Sequence, residues 1–483
     1  MFTLTLLAVV CVSYVLQQTL VVPALPTIGR DLNTSTTWAT WIFTGFLLSS
    51  AVATPLIGKL GDTYGKKRLL FIVMVIFAVG TIGAALSTSI AMLILARALQ
   101  GAAGAIFPLA FGIVRDELPP EKVGMALGLL SATLGIGAGI GLVLSGVVLE
   151  SFSWEWLFWF GAVPVILCLA PVWFLLPESR VRTPSRVDWW GAALLTGSVV
   201  LLLFAVSEGG SLFGWFSAPF AGMLAGAAIL LWLFVRHAQR IEEPLVDLDL
   251  LQIPLIRAGL LIGTLAGIVM FGLTTFVPPL VQGVQGGTPV EAGAVVAAMS
   301  IGWPLGSVVA GRSLHRVGAR PFVLAGTALI LAGALAITQA TRVSSLAFET
   351  MACAVVGLGM GLSSTVLLIM VQGAVPWQRR ATATGLVQFS RTIGGSVGVG
   401  VMGGILAAFV GAASSAILDP IGRAGLTPDE LAAGRDALEA GLQVVYWLMA
   451  IAAAAALVMA LRTMPAARLG EPAAVPASAT EPG

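Results

Sequence analysis

Gly58-Lys59-Leu60-Gly61-Asp62-Thr63-Tyr64-Gly65-Lys66-Lys67-Arg68 separates two long apolar runs near the start of the chain. Eleven residues hold four cations, one carboxylate and three glycines. Glycine reaches backbone dihedrals closed to other residues, so the stretch predicts a tight turn. Cations gathered in a short turn mark the cytoplasmic side of a membrane. Asp62, the lone acid, can pair with one of them or sit on a helix N-terminus.

Composition points the same way. The 483 residues are 58% hydrophobic and 10% charged, with a mean hydropathy of +0.99. A soluble domain carries about a quarter charged residues, so this chain lacks a surface suited to water. Fourteen apolar runs can be read, each long enough to cross a bilayer as a helix. They lie roughly at 4–27, 37–58, 69–87, 91–114, 122–148, 156–176, 188–207, 217–235, 257–280, 291–311, 321–340, 346–374, 382–412 and 441–461. None alternates polar and apolar residues as a membrane strand would. The first run lacks a basic leader and continues to about residue 22, so it is expected to remain as a span.

Charge tests this map. With the N-terminus in the cytoplasm, 19 of the 25 Lys and Arg residues fall in inside loops or the tail. Four fall outside, at Arg30, Arg342, Arg423 and Arg435, and two, Arg97 and Arg391, lie within spans. Such asymmetry predicts an even number of spans across the cell membrane with both termini in the cytoplasm. Tryptophans near span ends (Trp38, Trp41, Trp154, Trp156, Trp189, Trp190, Trp215, Trp377) read as an interfacial belt. Trp303 and Trp447 lie deeper and are expected to pack. Thr427-Pro428-Asp429-Glu430 reads as a helix start within an outside loop at about 413–440.

The composition excludes several function classes. Basic residues scattered over short loops make no nucleic-acid surface. Cys11, Cys168 and Cys353 stand far apart in apolar runs and read as buried hydrophobes. No acid lies mid-span; Asp31, Asp188, Glu208, Glu291 and Glu349 sit at or near span ends, and His237 and His315 in loops. A membrane-embedded enzyme would need clustered ligands or an acid–base set, so no metal, cofactor or catalytic residue is expected.

A weaker copy of the opening stretch follows at Gly311 to Arg320, with Gly58 and Gly65 answered by Gly311 and Gly318 after 253 residues. Pro119 and Gly128 are answered by Pro376 and Gly385 after 257. Two nearly equal shifts predict two related six-helix halves, at 1–180 and 241–464, with two extra helices at 181–240 and a disordered tail at 465–483. Pseudo-symmetric halves around a central cavity suit an alternating-access transporter. The copies are unequal, since His315 replaces Asp62 and Ala354 stands opposite Arg97.

The opening stretch resembles the signature between the second and third spans of the major facilitator superfamily. Arg97-Ala98-Leu99-Gln100-Gly101 resembles that superfamily's fourth-span motif, and fourteen spans narrow the likeness to its drug:proton antiporter family. Gln388-Phe389-Ser390-Arg391-Thr392-Ile393-Gly394-Gly395 is similar to the same family's penultimate-span segment. Two departures stand out. Gly128, Gly137, Gly141 and Gly146 follow the spacing of the antiporter motif, but Leu142 stands where the family has proline and Ser145 where it has glycine. Gln17 occupies a first-span position where the family usually carries an aspartate.

The resulting expectation is an all-helical membrane exporter of amphipathic small molecules, coupled to protons and embedded in lipid. Gly58, Asp62, Gly65, Lys66, Lys67 and Arg68 are assigned to gating. Arg97, Gln100 and Arg391 are the candidates for proton coupling or structural buried charge, because an intramembrane guanidinium needs partners. Arginine does not itself titrate in the useful range. Gln17, Gln18, Phe46, Trp303, Gln388 and Phe389 are candidate lining of a substrate cavity, each competing with a plain packing role. Gly101, Gly137, Gly141 and Gly146 allow close helix approach. Leu142 and Gln17 keep open uptake or facilitated diffusion without proton coupling, and a transporter-like scaffold or sensor is the alternative from another class.

Overall fold

A computed structural model describes residues 2–464 except 35, 179–187, 209–213, 215, 216, 243, 377, 378 and 411–425. The tail expected at 465–483 therefore lies outside the described residues. In chain order the α-helices are α1 (Phe2–Thr19), α2 (Leu25–Asp31), α3 (Thr36–Tyr64), α4 (Lys66–Ala85), α5 (Ile90–Gln100), α6 (Ile106–Glu117), α7 (Pro120–Ser151) and α8 (Glu155–Leu175). They continue with α9 (Trp189–Glu208), α10 (Ala218–Ala238), α11 (Pro254–Pro279), α12 (Pro289–Val317), α13 (Ala319–Ile337), α14 (Leu346–Gly373), α15 (Arg380–Val410) and α16 (Pro428–Thr463). Among the described residues there is no strand, and fourteen helical segments are long and apolar enough to cross a membrane.

Two six-span halves, α1–α8 and α11–α16, meet chiefly where α7 packs on α12 and α3 on α15. Small residues let the first pair approach closely: a methyl group on Gly146 would come within 2.6 Å of the Val290 Cα, and one on Gly293 within 2.5 Å of the Leu142 carbonyl. The extra helix α9 touches one helix of each half, α3 and α15, with Trp41 against Phe204 at 5.8 Å. Its partner α10 packs mainly on α9 and leaves Ile229, Leu231 and Trp232 exposed. Apolar side chains facing outward are what a lipid-embedded helix presents.

Several local expectations are corrected. Gly58 and Gly61 lie inside α3, so the opening stretch turns only at Gly65, where φ is 109°. Its counterpart Gly318, with φ 91°, separates α12 from α13 in the second half. The fourth span is broken by a 3₁₀ segment, Gly101–Ala105, where Gly101 and Gly104 press against Ser49 and Ser50 of α3. Thr427 does start a helix, with a capping box to Glu430, but that helix runs unbroken for 36 residues through the last span. Trp447, expected to pack, is half exposed.

Candidate functional site

The opening turn is held from a distance. Lys66, first residue of α4, reaches across Gly112 to Asp116 of α6 at 2.9 Å, with both side chains nearly buried. Glu178, just beyond α8, accepts the backbone N–H groups of Lys67 at 3.1 Å and Arg68 at 3.2 Å. A carboxylate there satisfies orphan donors and complements the helix dipole. It takes the helix-terminus position considered for Asp62, whose own side chain lies outside the described residues. Lys67 sits 5.8 Å over the Trp173 ring, and Arg68 is exposed.

Deeper in the first half, Arg97 is completely buried. Its Nε donates to the Ile42 carbonyl at 3.1 Å, and Nη1 to the Gln17 carbonyl at 3.1 Å and to Gln100 Oε1 at 2.7 Å. Gln100 passes the chain on to Thr81 at 2.7 Å, and the guanidinium lies 4.3 Å over Phe46. Nη2 is buried without a partner, and no carboxylate of the described residues pairs with the group. A cation held by carbonyls, an amide and a ring keeps its net charge, since nothing nearby neutralises it.

The second half repeats the arrangement without any sequence echo. Arg391 donates to Gln388 Oε1 at 2.6 Å and lies 5.3 Å over Trp303. Each arginine thus has a glutamine three residues away and an aromatic face beneath. Between them stands Tyr14, stacked on Phe46 at 5.8 Å, bonded to Ser50 at 2.9 Å and within electrostatic reach of both arginines. Tyr14 carried no sequence signal, because its importance comes from helices that meet only in the fold.

The structure therefore brings Phe46, Trp303, Gln388, Arg97, Gln100 and Arg391 into two related clusters. It does not bring all the candidates there. Gln17 turns into α8, donating to the Phe158 carbonyl at 3.3 Å with its Oε1 unpaired. Phe389 packs against a separate hydrophobic cluster that includes Val199 and Leu203 of α9. Gln18 is half-buried. Gly137 and Gly141 face Val12, Val15 and Leu16 of α1, Gly146 faces α12, and Gly101 faces α3. Glu349, read as a span-end acid, is completely buried.

Twelve candidate spans in two halves, two further spans between them and two arginines buried within spans define a polytopic membrane protein. Residues 7–399 match the family model described as Major Facilitator Superfamily, and the chain belongs to that superfamily. An uncharacterised MFS-type transporter of Mycobacterium tuberculosis is 33% identical over 396 residues, covering 81% of this chain, which spans only 57% of that relative's length. The tetracenomycin C resistance and export protein of Streptomyces glaucescens is 29% identical over 91% of this chain and 82% of its own. The human organic anion transporter MFSD10 (TETRAN) shares the fold, with a TM-score of 0.61 at 16% identity over 94% of this chain and 99% of its own.

Proposed function

We propose that the chain exports drugs or other amphipathic small molecules from the cell by proton antiport and alternating access, with both termini in the cytoplasm. The observation that carries this reading is Arg97, a fully buried guanidinium inside a span, paired with no described acid and facing an aromatic cluster. A charge of that kind is costly in a bilayer and is retained where ions or substrates pass. Aromatic surface with a few fixed polar groups suits lipophilic cargo. The related protein named for export of tetracenomycin C supports the outward direction. The opening turn, with Lys66, Asp116 and Glu178, ties α4, α6 and the end of α8 together at the cytoplasmic face of the first half, so that they move as one body when the halves rock.

A second reading, transport without proton coupling, is favoured by one feature of α7. With Leu142 in place of proline, α7 runs as an uninterrupted helix from Pro120 to Ser151. Ethidium efflux from cells lacking their own exporters separates the two. Efflux that appears on expression of the chain and stops when a protonophore collapses the proton gradient supports antiport. Efflux that persists under the protonophore supports the uncoupled reading, and unaltered retention of ethidium and other lipophilic cations supports a scaffold.

A further inference from the structure

Glu349 lies in the first turn of α14 and is completely buried. Its Oε1 accepts from Gln285 Nε2 at 2.9 Å and meets the Ser344 hydroxyl. Its Oε2 is buried with no partner, as is Oε1 of Gln285. Gln285 follows the π-helical segment Leu280–Val284 that ends α11, and Ser344 belongs to the α13–α14 turn. The acid is therefore clasped by two connecting segments at the end of the molecule assigned to the outside.

Hydrogen counting shows what the cluster lacks. Ser344 has one hydroxyl hydrogen and two acceptors for it, the Thr341 carbonyl at 2.7 Å and Glu349 Oε1. The Gln285 amide has two hydrogens and three acceptors: Thr341 O at 3.1 Å, Ser344 Oγ at 3.2 Å and Glu349 Oε1. With Glu349 as a carboxylate, two buried oxygens go without a donor and no described cation pairs with the charge. Leaving such a group unsatisfied is costly. One added hydrogen makes the carboxyl a neutral donor and frees the Ser344 hydrogen for Thr341.

The groups facing Glu349 do not supply that hydrogen by pairing. Cys353 lies one turn deeper on α14, and Tyr446 of α16 gives its hydroxyl hydrogen to the Phe276 carbonyl of α11 at 3.0 Å. Nearer the surface, Glu439 of α16 accepts the Arg342 backbone N–H at 3.1 Å, and Glu291 of α12 is engaged with Thr288 in its helix cap. The outer halves of α11, α13 and α15 carry no Asp, Glu, Lys, Arg or His.

We propose that Glu349 is a proton-binding site of the C-terminal half, loaded from the outer medium, with Gln285 and Ser344 as positioning residues. This rests on the antiport reading. Loading forms one O–H bond on the carboxylate; unloading breaks it and returns the proton to water.

Infrared difference spectra of the full-length chain in lipid, taken between alkaline and acidic medium, test the site without any substrate. Acidification is expected to add the C=O stretch of a buried protonated carboxyl in the wild type. Glu349→Gln is expected to lose that band, while Ser344→Ala keeps it at higher frequency, as for a carboxyl losing a hydrogen bond. A band unchanged in Glu349→Gln overturns the assignment, as does a band that responds to sodium at constant pH. In proteoliposomes, Glu349→Gln is expected to keep ethidium exchange and lose pH-driven accumulation at least 10-fold. Wild-type transport indifferent to the gradient, with the band present, would reject the antiport reading and leave the proton site standing.

Discussion

Lys66 Nζ lies 2.9 Å from Asp116 Oδ2, joining the start of α4 to the end of α6 with both side chains under a tenth exposed. Removing one member of a buried pair strands the other, at a cost of about 3–5 kcal/mol. Replacing both with apolar residues of similar volume is often close to neutral. Asp116→Leu is therefore expected to lower the melting temperature of the purified protein, and Lys66→Met with Asp116→Leu to recover much of the loss. Double-variant stability below both single variants contradicts the pairing.

Gly65 and Gly318 occupy matching turns but different surroundings. Either glycine replaced by alanine meets a backbone conformation costing about 1–3 kcal/mol. At Gly65 a methyl group would also come within 2.7 Å of Glu178 Oε1, whereas nothing lies within 4 Å at Gly318. Gly65→Ala is expected to be the more damaging in melting temperature and transport, since it also displaces the cap on α4. Equal effects would remove Glu178 from the contacts that hold the opening turn.

The three bonds of Arg97 diverge to α1, α3 and its own helix. A lysine is a single point donor on a flexible stem and cannot reproduce that fork. Arg97→Lys is expected to insert normally and to lower transport at least about 10-fold, the equivalent of ~1.4 kcal/mol. Gln100→Ala should have a smaller effect in the same direction, read by ethidium efflux. Full activity in Arg97→Lys would mean that charge alone suffices.

Asp188, just before α9, accepts from the Gly191 N–H at 2.7 Å, His237 Nε2 at 2.7 Å and the Leu245 N–H at 3.2 Å. Burial pushes its carboxyl upward, but these bonds and the His237 charge outweigh it, so the net shift is downward. A lowered folded-state pKa gives stability that is complete above the ordinary aspartate value, about 3.9, and is lost as pH falls through the folded value. The melting gap between wild type and Asp188→Asn is expected to close as pH falls below about 4. A gap that persists undiminished through that range contradicts the assignment.

What could be read along the chain was periodic or local. Charge asymmetry and apolar length located all fourteen spans, and the 253-residue shift paired Gly65 with Gly318, which share the same backbone turn. The Thr427 cap was equally visible, since a capping box spans four residues. The missed features join distant residues. Glu178 lies 110 residues from the N–H of Arg68 that it caps, and Glu349 is 64 residues from Gln285. Nothing in the spacing of a span-end acid tells whether a neighbouring turn will bury it. The direction of Gln17 into α8 was likewise hidden, because helix rotation depends on packing partners.

Proton coupling is tested most directly by the purified chain in proteoliposomes with an imposed pH gradient and ethidium as cargo. Ethidium movement toward the more acidic compartment, against its own gradient and accompanied by proton flow the other way, is expected. Transport with the same rate and end point whether or not the gradient is present would contradict it.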